Sequence, residues 1–325
     1  MKADYPIGVT FKMRIKFWGT RGSIPTPITN NLVKDKIRQA LLGAAGLDLT
    51  DTNVLTQYLE RLPPIVSSTV GGDTPCVEVQ SGDQLLILDA GSGLHRLGLA
   101  LPERGFPLKG TQLDFLMTHT HWDHIQGFPF FEFAFQPENQ LTFYSAVSDL
   151  AKRFACLVNS DWSPGFVAQP QAKFEFVHLP VEQTFTLKNL KITPIALSHP
   201  GQSFGYRIED DRSCFVYATD AAYETLETKY VDFYKGADLL VFDSHFNFAE
   251  SIDKVDWGHS TAMFGAEFAY RAQIKRLALF HHNPTDSDEK IYLAMQQAQA
   301  YLAHRTFVKN PCQVLIAKDG LELEI

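Results

Sequence analysis

The sequence predicts an α/β fold with sheets inside and helices outside, and three observations predict it. Apolar strand-like runs come first in antiparallel-looking pairs and then alternate with helix-like segments. No Gly/Ser-rich or charged low-complexity linker breaks the 325 residues, so one domain over 13–325 is expected, long enough for a large core. Apolar content of 45% against 20% charged is that of an ordinary globule.

The elements follow in order. "MRIKFWG" (13–19) alternates and ends in glycine, as a strand does, and "TRGSIPTPITN" reads as a Gly/Pro loop. Residues 1–12 are then an N-terminal extension, with Met13 as a possible start. "NLVKDKIRQALLGAAG" and "NVLTQYLERL" read as helices, the second capped by the Asp or Thr of "DTNV", and form a helical insertion at about 28–70. "CVEVQ" and "QLLILDAG" make a hairpin around "SGD". "LDFLMTHT" is a strand, followed by a helix-like aromatic run. "LTFYSA" is another strand, before a helix near 148–158 and the loop "NSDWSPGFVAQP". Strands follow at "KFEFVHL", "LKITPIALSHP", "SFGYRIE" and "SCFVYATD", then a helix near 223–235. The strand "ADLLVFDSHF", helix "STAMFGAEFAYRAQ", strand "RLALFHH" and helix "DEKIYLAMQQAQAYLAH" lead to the closing strands "CQVLIAKDG" and "LELEI".

Composition narrows the function. A formal charge of -8 disfavours a bulky polyanion such as duplex DNA, while a small anionic substrate remains compatible with local positive charge. Cys76, Cys214 and Cys312 sit in apolar strand-like text and Cys156 stands apart; with no CxxC pair, a reducing, cytoplasmic setting is expected. The start has no signal-peptide pattern, and no run of 18 apolar residues suggests a membrane span.

"THTHWDHIQGFPFF" (118–131) carries the chemistry. Alternate residues of an extended segment point the same way, so His119 and His121 aim at one place beyond the strand end. Asp123 and His124 follow where a turn or helix begins and aim at a neighbouring place. Imidazole and carboxylate are the usual ligands of zinc, iron and manganese. One histidine at a strand end is unremarkable; four potential ligands within six residues are not. His199, Asp220, Asp243, and the pair His281 and His282 likewise end apolar strands, where chemistry collects in α/β folds.

"HTHWDH" fits His-x-His-x-Asp-His and resembles the metallo-β-lactamase fold hydrolases. The resemblance runs from Met13 onward through "FWGTRGSIPTP", "GGDTPCVEV", "ILDAGSGL", "SHPG", "YATD", "WGHST" and "LFHHNP", and "GHST" is similar to the phosphodiesterase branch, which includes tRNA 3'-processing nucleases and cyclic-phosphate hydrolases. It implies a four-layer αβ/βα sandwich with mixed sheets flanked by helices. It also implies two divalent cations, one held by His119, His121 and His199, the other by Asp123, His124 and His281, with Asp220 bridging. His281 rather than His282 falls on the family's ligand position. The donor set suits zinc first, with manganese and iron as alternatives.

The chemistry implied is attack on phosphorus by a hydroxide shared between the cations, with Asp123 orienting it. His259 is the candidate proton donor to the leaving group, next to a helix cap at Ser260 or Thr261. The family pairs such a histidine with an acid at the Asp243 position, which would orient it and favour its charged form. Glutamate is frequent there in the family, so the shorter aspartate tests the reach. Arg21 and Ser23, in "GTRGSIP", and His245, two residues after Asp243, are expected to contact substrate. Phe128, Phe130 and Phe131 either shape the entrance or pack in the core, and His95, His178 and His304 are expected at the surface. The leading function is hydrolysis of a small phosphodiester, a cyclic nucleotide or cyclic sugar phosphate. RNA or DNA cleavage and ester, thioester or lactone hydrolysis are the alternatives, with a non-catalytic binding role last. No basic arm for a tRNA body is evident, since Lys34, Lys36, Arg38 and Arg61 are balanced by Asp35, Asp48, Asp51 and Glu60. The insertion is expected either to cap the pocket or to form a homodimer contact.

Overall fold

A computed structural model describes residues 12–157, 171–305 and 312–325. Residues 1–11 of the expected extension and the loop expected at 159–170 lie outside the described residues. The elements are β1 (Arg14–Gly19), α1 (Asn30–Gly43), α2 (Thr52–Arg61), α3 (Pro64–Ser67), β2 (Cys76–Ser81), β3 (Gln84–Leu88), α4 (Gly93–Ala100), β4 (Gln112–Met117), α5 (Trp122–Ile125), β5 (Gln140–Ser145), α6 (Leu150–Leu157) and β6 (Lys173–His178). The second half supplies β7 (Phe185–Leu187), β8 (Leu190–Leu197), β9 (Ser203–Glu209), β10 (Cys214–Ala218), α7 (Thr228–Tyr234), β11 (Leu239–Asp243), α8 (Phe248–Asp253), α9 (Ala262–Arg271), β12 (Arg276–Phe280), α10 (Asp288–Arg305), β13 (Gln313–Ile316) and β14 (Glu322–Glu324).

The strands form two seven-stranded sheets, ordered β14-β1-β2-β3-β4-β5-β6 and β13-β12-β11-β10-β9-β8-β7. In each sheet the chain first runs antiparallel, through β1–β3 or β7–β10, and then parallel, through β3–β6 or β10–β13. Only β14 crosses back, pairing Glu324 with Arg14 of β1.

Strand alternation builds the layers. On β10, Phe215 and Tyr217 enter the core shared with the first sheet, whereas Val216 and Ala218 join Phe268 of α9 and Leu302 of α10 on the other side. Leu94 and Leu97 of α4 and Phe154 of α6 cover the first sheet. The result is the helix–sheet–sheet–helix sandwich of four layers. Caps fall where short polar side chains allow them: Asp51 accepts from Asn53 N ahead of α2, and Thr261 accepts from Phe264 N ahead of α9.

Several details differ from the sequence reading, which did not anticipate α3, α4 or α8. The aromatic run after α5 forms two short 3-10 turns, Phe128–Phe130 and Glu132–Phe135, rather than a helix. Phe128 and Phe131 are fully buried and pack against Phe143 and Phe115, so of that trio only Phe130 is exposed. The three-residue β7 was not expected. All four cysteines are free, and no helix among the described residues is long and apolar enough to cross a membrane.

Candidate metal centre

Every cluster residue follows a strand end on one side of the molecule. Beyond β4 the chain stays extended, Thr118 anchoring to Asp89 through its backbone N–H (2.8 Å) and its hydroxyl. His119 and His121 therefore leave on the same side, with ring centroids 4.6 Å apart. One turn of α5 then turns Asp123 and His124 inward while Trp122 faces solvent. His199 follows β8, Asp220 follows β10 and His281 follows β12.

Two groups of ligand atoms result, each within 4.8 Å: His119, His121, His199 and Asp220, and Asp123, His124, Asp220 and His281. In the first, His199 Nε2 lies 3.0 Å from His121 Nδ1. Asp220 Oδ2 is 3.6 Å from His119 Nε2 and 3.7 Å from His199 Nε2. In the second, His281 Nε2 is 3.1 Å from Asp123 Oδ2 and 3.4 Å from His124 Nε2, and Asp220 Oδ1 is 3.2 Å from His124 Nε2. Asp220 thus serves both groups. Each group draws two residues from the first half of the chain and two from the second. Asp220 and His281 hold left-handed backbone, with φ of 53° and 58°, as does Asp89 at 57°. Non-glycine residues rarely adopt this, and such strain gathers at functional sites.

Hydrogen bonds fix the imidazole tautomers. His124 donates Nδ1–H to Asp89 Oδ2 at 2.9 Å, and His199 donates Nδ1–H to Gly258 O at 2.8 Å. The Thr118 hydroxyl is spent on Asp89, so it accepts from His119 Nδ1 at 3.0 Å. In all three rings the Nε2 lone pair is left facing the centre, and His119 Nε2 is buried without a hydrogen-bond partner. Lone pairs and carboxylates converging in a buried space repel one another unless cations lie between them. Burial disfavours a charged His124, yet Asp220, Asp123 and Asp89 outweigh it and raise its pKa, whereas burial holds His119, His121 and His199 below the usual imidazole range, which favours their neutral, ligating form. The donor set therefore fits a pair of divalent cations.

The neighbouring histidines are arranged differently. His259 donates Nδ1–H to Asp243 Oδ2 at 2.8 Å. Asp243 also accepts from the backbone N–H groups of Ala221 (3.2 Å), His245 (3.0 Å) and Ser260 (3.3 Å). His245 donates Nδ1–H to His281 O, and its ring stacks on His259 at 4.2 Å and 19°. His245, His259 and His281 also lie close enough to share an ion. Their rings lie one over another at 19° to 34°, however, and His281 already belongs to the second ligand group. This trio is a stack rather than a third centre.

The profile described as "Beta-lactamase superfamily domain" matches residues 85–282. The chain belongs to the β-lactamase superfamily. It is 37% identical to a ribonuclease Z from Nitrosopumilus maritimus over 103 residues, 31% of each chain, so the match spans about a third of that relative. Among solved structures, it is similar to the metallo-β-lactamase fold protein YhfI from Bacillus subtilis, with 19% identity, a TM-score of 0.64, and coverage of 97% of this chain and 100% of that one. Unliganded yeast PDE1 gives 12% identity and a TM-score of 0.62, covering 97% and 99%. These two likenesses establish the fold. Superfamily membership is accompanied in this chain by two clusters of His/Asp ligand atoms able to hold metal ions.

In this superfamily member, one expected substrate contact, Arg21, is placed otherwise. Arg21 is buried, and its guanidinium donates to Gly71 O (3.0 Å), Asn283 O (3.1 Å) and Asp286 O (3.0 Å), with Asp288 3.7 Å away. Its donors are used inside the protein, which corrects the expectation that it meets a phosphate. Ser23 exposes its side chain and acts through its backbone, its N–H donating to Asp123 Oδ2 at 2.7 Å. His282 turns from the centre and meets Ala317 O at 2.9 Å. His95, His178 and His304 are exposed. Thr261 rather than Ser260 caps α9.

The sequence reading assigned no role to Asp89, which orients both His124 and Thr118, although it ends the apolar run "LLILD" just as Asp220 and Asp243 end theirs. The Gly258 carbonyl left no side-chain signal. Gly22 is required for space, because a Cβ there would lie 2.6 Å from the His281 ring and 2.9 Å from that of His245.

Proposed function

We propose that the protein is a dinuclear phosphodiesterase acting on a small phosphodiester, a cyclic nucleotide or a cyclic sugar phosphate. The observation that carries this reading is the His259–Asp243 pair beside the split ligand groups. A buried imidazole oriented by a carboxylate has Nε2 left over for the leaving oxygen. Burial opposes charge on His259, but Asp243 outweighs it and raises the pKa, which favours the protonated form that a proton donor needs. The side chain of Asp243 is long enough for this contact at 2.8 Å.

On this reading His119, His121, His199 and Asp220 hold one cation and Asp123, His124, Asp220 and His281 the other, with zinc the first choice and manganese or iron as alternatives. Two such cations supply Lewis acidity toward the attacking water and the phosphoryl oxygens. Asp123, pinned at Oδ2 by Ser23 N–H, has Oδ1 left to orient that water. His259 delivers the proton to the departing alkoxide, and Asp243 stabilises the imidazole before and after transfer. His245 supports His259 from behind. Burial, with His259 and His281 nearby, pushes the His245 pKa down to about 3, so it stays neutral against a charged neighbour.

The ribonuclease Z likeness favours RNA cleavage as a second reading. A panel of cyclic mononucleotides, cyclic dinucleotides, ribose cyclic phosphate and pre-tRNA, each with zinc and with manganese, separates the two. Bis-p-nitrophenyl phosphate should be hydrolysed by the metal-loaded protein, and His259→Ala should lower kcat for a cyclic mononucleotide, whose leaving alkoxide needs the proton, by about 100-fold or more with metal content retained. Ester or lactone turnover insensitive to that change, with no phosphodiester turnover, would overturn the proposal.

A further inference from the structure

Tyr217 is fully buried on β10, three residues before Asp220, and its hydroxyl crosses between the sheets to donate to Asp89 Oδ2 at 3.2 Å. Asp89 is the carboxylate on which both ligand groups lean. Its Oδ2 takes His124 Nδ1–H at 2.9 Å and the Thr118 hydroxyl at 2.9 Å, and that hydroxyl takes His119 Nδ1–H at 3.0 Å. One carboxylate thus holds a ring of each group, directly for His124 and through Thr118 for His119. Thr118 and His124 belong to the first half of the chain, and Tyr217 is the donor that the second half supplies to this acid.

The surroundings fix the direction of this phenol. Its ring meets Phe280, the residue before His281, edge-on at 5.6 Å and 70°. Its register partner on β9 is Tyr206, whose hydroxyl donates to Met117 O at 2.7 Å. A backbone carbonyl is therefore enough to satisfy a buried phenol at this sheet interface. Tyr217 instead reaches the acid that orients the ligands. Asp89 holds a left-handed backbone with φ of 57°, a costly conformation that persists where surrounding contacts over-determine it. The Tyr217 hydroxyl is one such contact, and it comes from the opposite sheet. We propose that Tyr217 is a positioning residue of the metal centre: by holding the Asp89 carboxylate from across the sheet interface, it sets the direction in which His124 and His119 present their Nε2 atoms. Removing an outer partner of a ligating histidine ordinarily weakens metal binding by about 10- to 100-fold. The inference rests on the two-cation reading of the centre and is independent of the substrate proposed for it.

Tyr217→Phe removes one oxygen and keeps the ring. The zinc-loaded full chain is titrated with a chelator, and bound zinc is measured. The wild type should hold two ions per chain, and Tyr217→Phe should bind them about tenfold more weakly. Tyr234→Phe is the control, because Tyr234 is equally buried but its hydroxyl meets that of Tyr223 at 2.6 Å, in the core between the second sheet and its helices. Its zinc affinity should stay within about twofold of wild type. The His124 Nδ1 proton resonance of the zinc-loaded protein should also move in Tyr217→Phe, where Oδ2 loses a donor it shared, and stay in place in Tyr234→Phe. A merely structural tyrosine would change stability and leave both readouts alone. In the wild type itself, whether or not the variant folds, the Tyr217 hydroxyl proton should show a cross-peak to the His124 Nδ1 proton. Absence of that cross-peak, or zinc held equally well by Tyr217→Phe, would overturn the positioning role. Fewer than two ions on the wild type would instead overturn the two-cation reading.

Discussion

Asp319 illustrates how a single carboxyl can shape a loop at a cost in stability. It accepts from the backbone N–H groups of Gly72 (2.9 Å) and Asp73 (3.0 Å), holding the segment from which Asp73 O receives the N–H groups of Thr20 and Arg21. Burial, with Asp73 nearby, pushes its pKa up to about 6. An unfolded aspartate titrates near 3.9. Below pH 4 both states carry the proton. Between about 4 and 6 the unfolded chain releases it and the folded one keeps it, so this group's contribution to stability falls as pH rises through that window and then levels off. Asp319→Asn should therefore gain roughly 2 kcal/mol relative to wild type between pH 4 and pH 7, read as the difference between urea denaturation curves. A constant difference across that range would contradict the assignment.

At the scale of elements, α10 ties the insertion to the site loop through Asp288. Its carboxylate lies 3.0 Å from Lys36 Nζ on α1 and 3.7 Å from the Arg21 guanidinium, and accepts from Val70 N at 3.2 Å. Lys36 also donates to the carbonyls of Ile65 and Ser68, around α3. Asp288→Ala leaves two buried cations without their carboxylate and should destabilise by about 3–5 kcal/mol in urea denaturation, whereas Lys36→Met, which removes a charge and keeps the Arg21 pair, should cost less. The longer helices were legible, since α2 announces its cap in "DTNV" and α10 its length in "DEKIYLAMQQAQAYLAH", whereas the short α3, α4 and α8 were not. The junction was not. Arg21, Lys36 and Asp288 lie far apart in the chain, and Lys36 read as one more surface charge. The aromatic run after α5 misled for a related reason, because phenylalanines spaced to suit a core suit two tight turns as well as a helix.

For the whole molecule, strand-end polar residues were the legible signal, and they lead to all seven side chains of the two ligand groups. The supports were less legible, because Ser23 N–H and Gly258 O are backbone atoms and a sequence does not say which way they face. The two sheets meet at this centre, so ions there should add to global stability by mass action. Chelation should lower Tm by about 5 °C or more, and zinc or manganese should restore it. An unchanged Tm after complete metal removal would argue that the halves are joined by their core alone.

The equal division of each ligand group between the two halves of the chain has a further consequence. Neither sheet supplies a complete ligand group by itself. Each contributes half of both ligand groups, so any slip between the sheets would disturb the two groups together rather than one at a time.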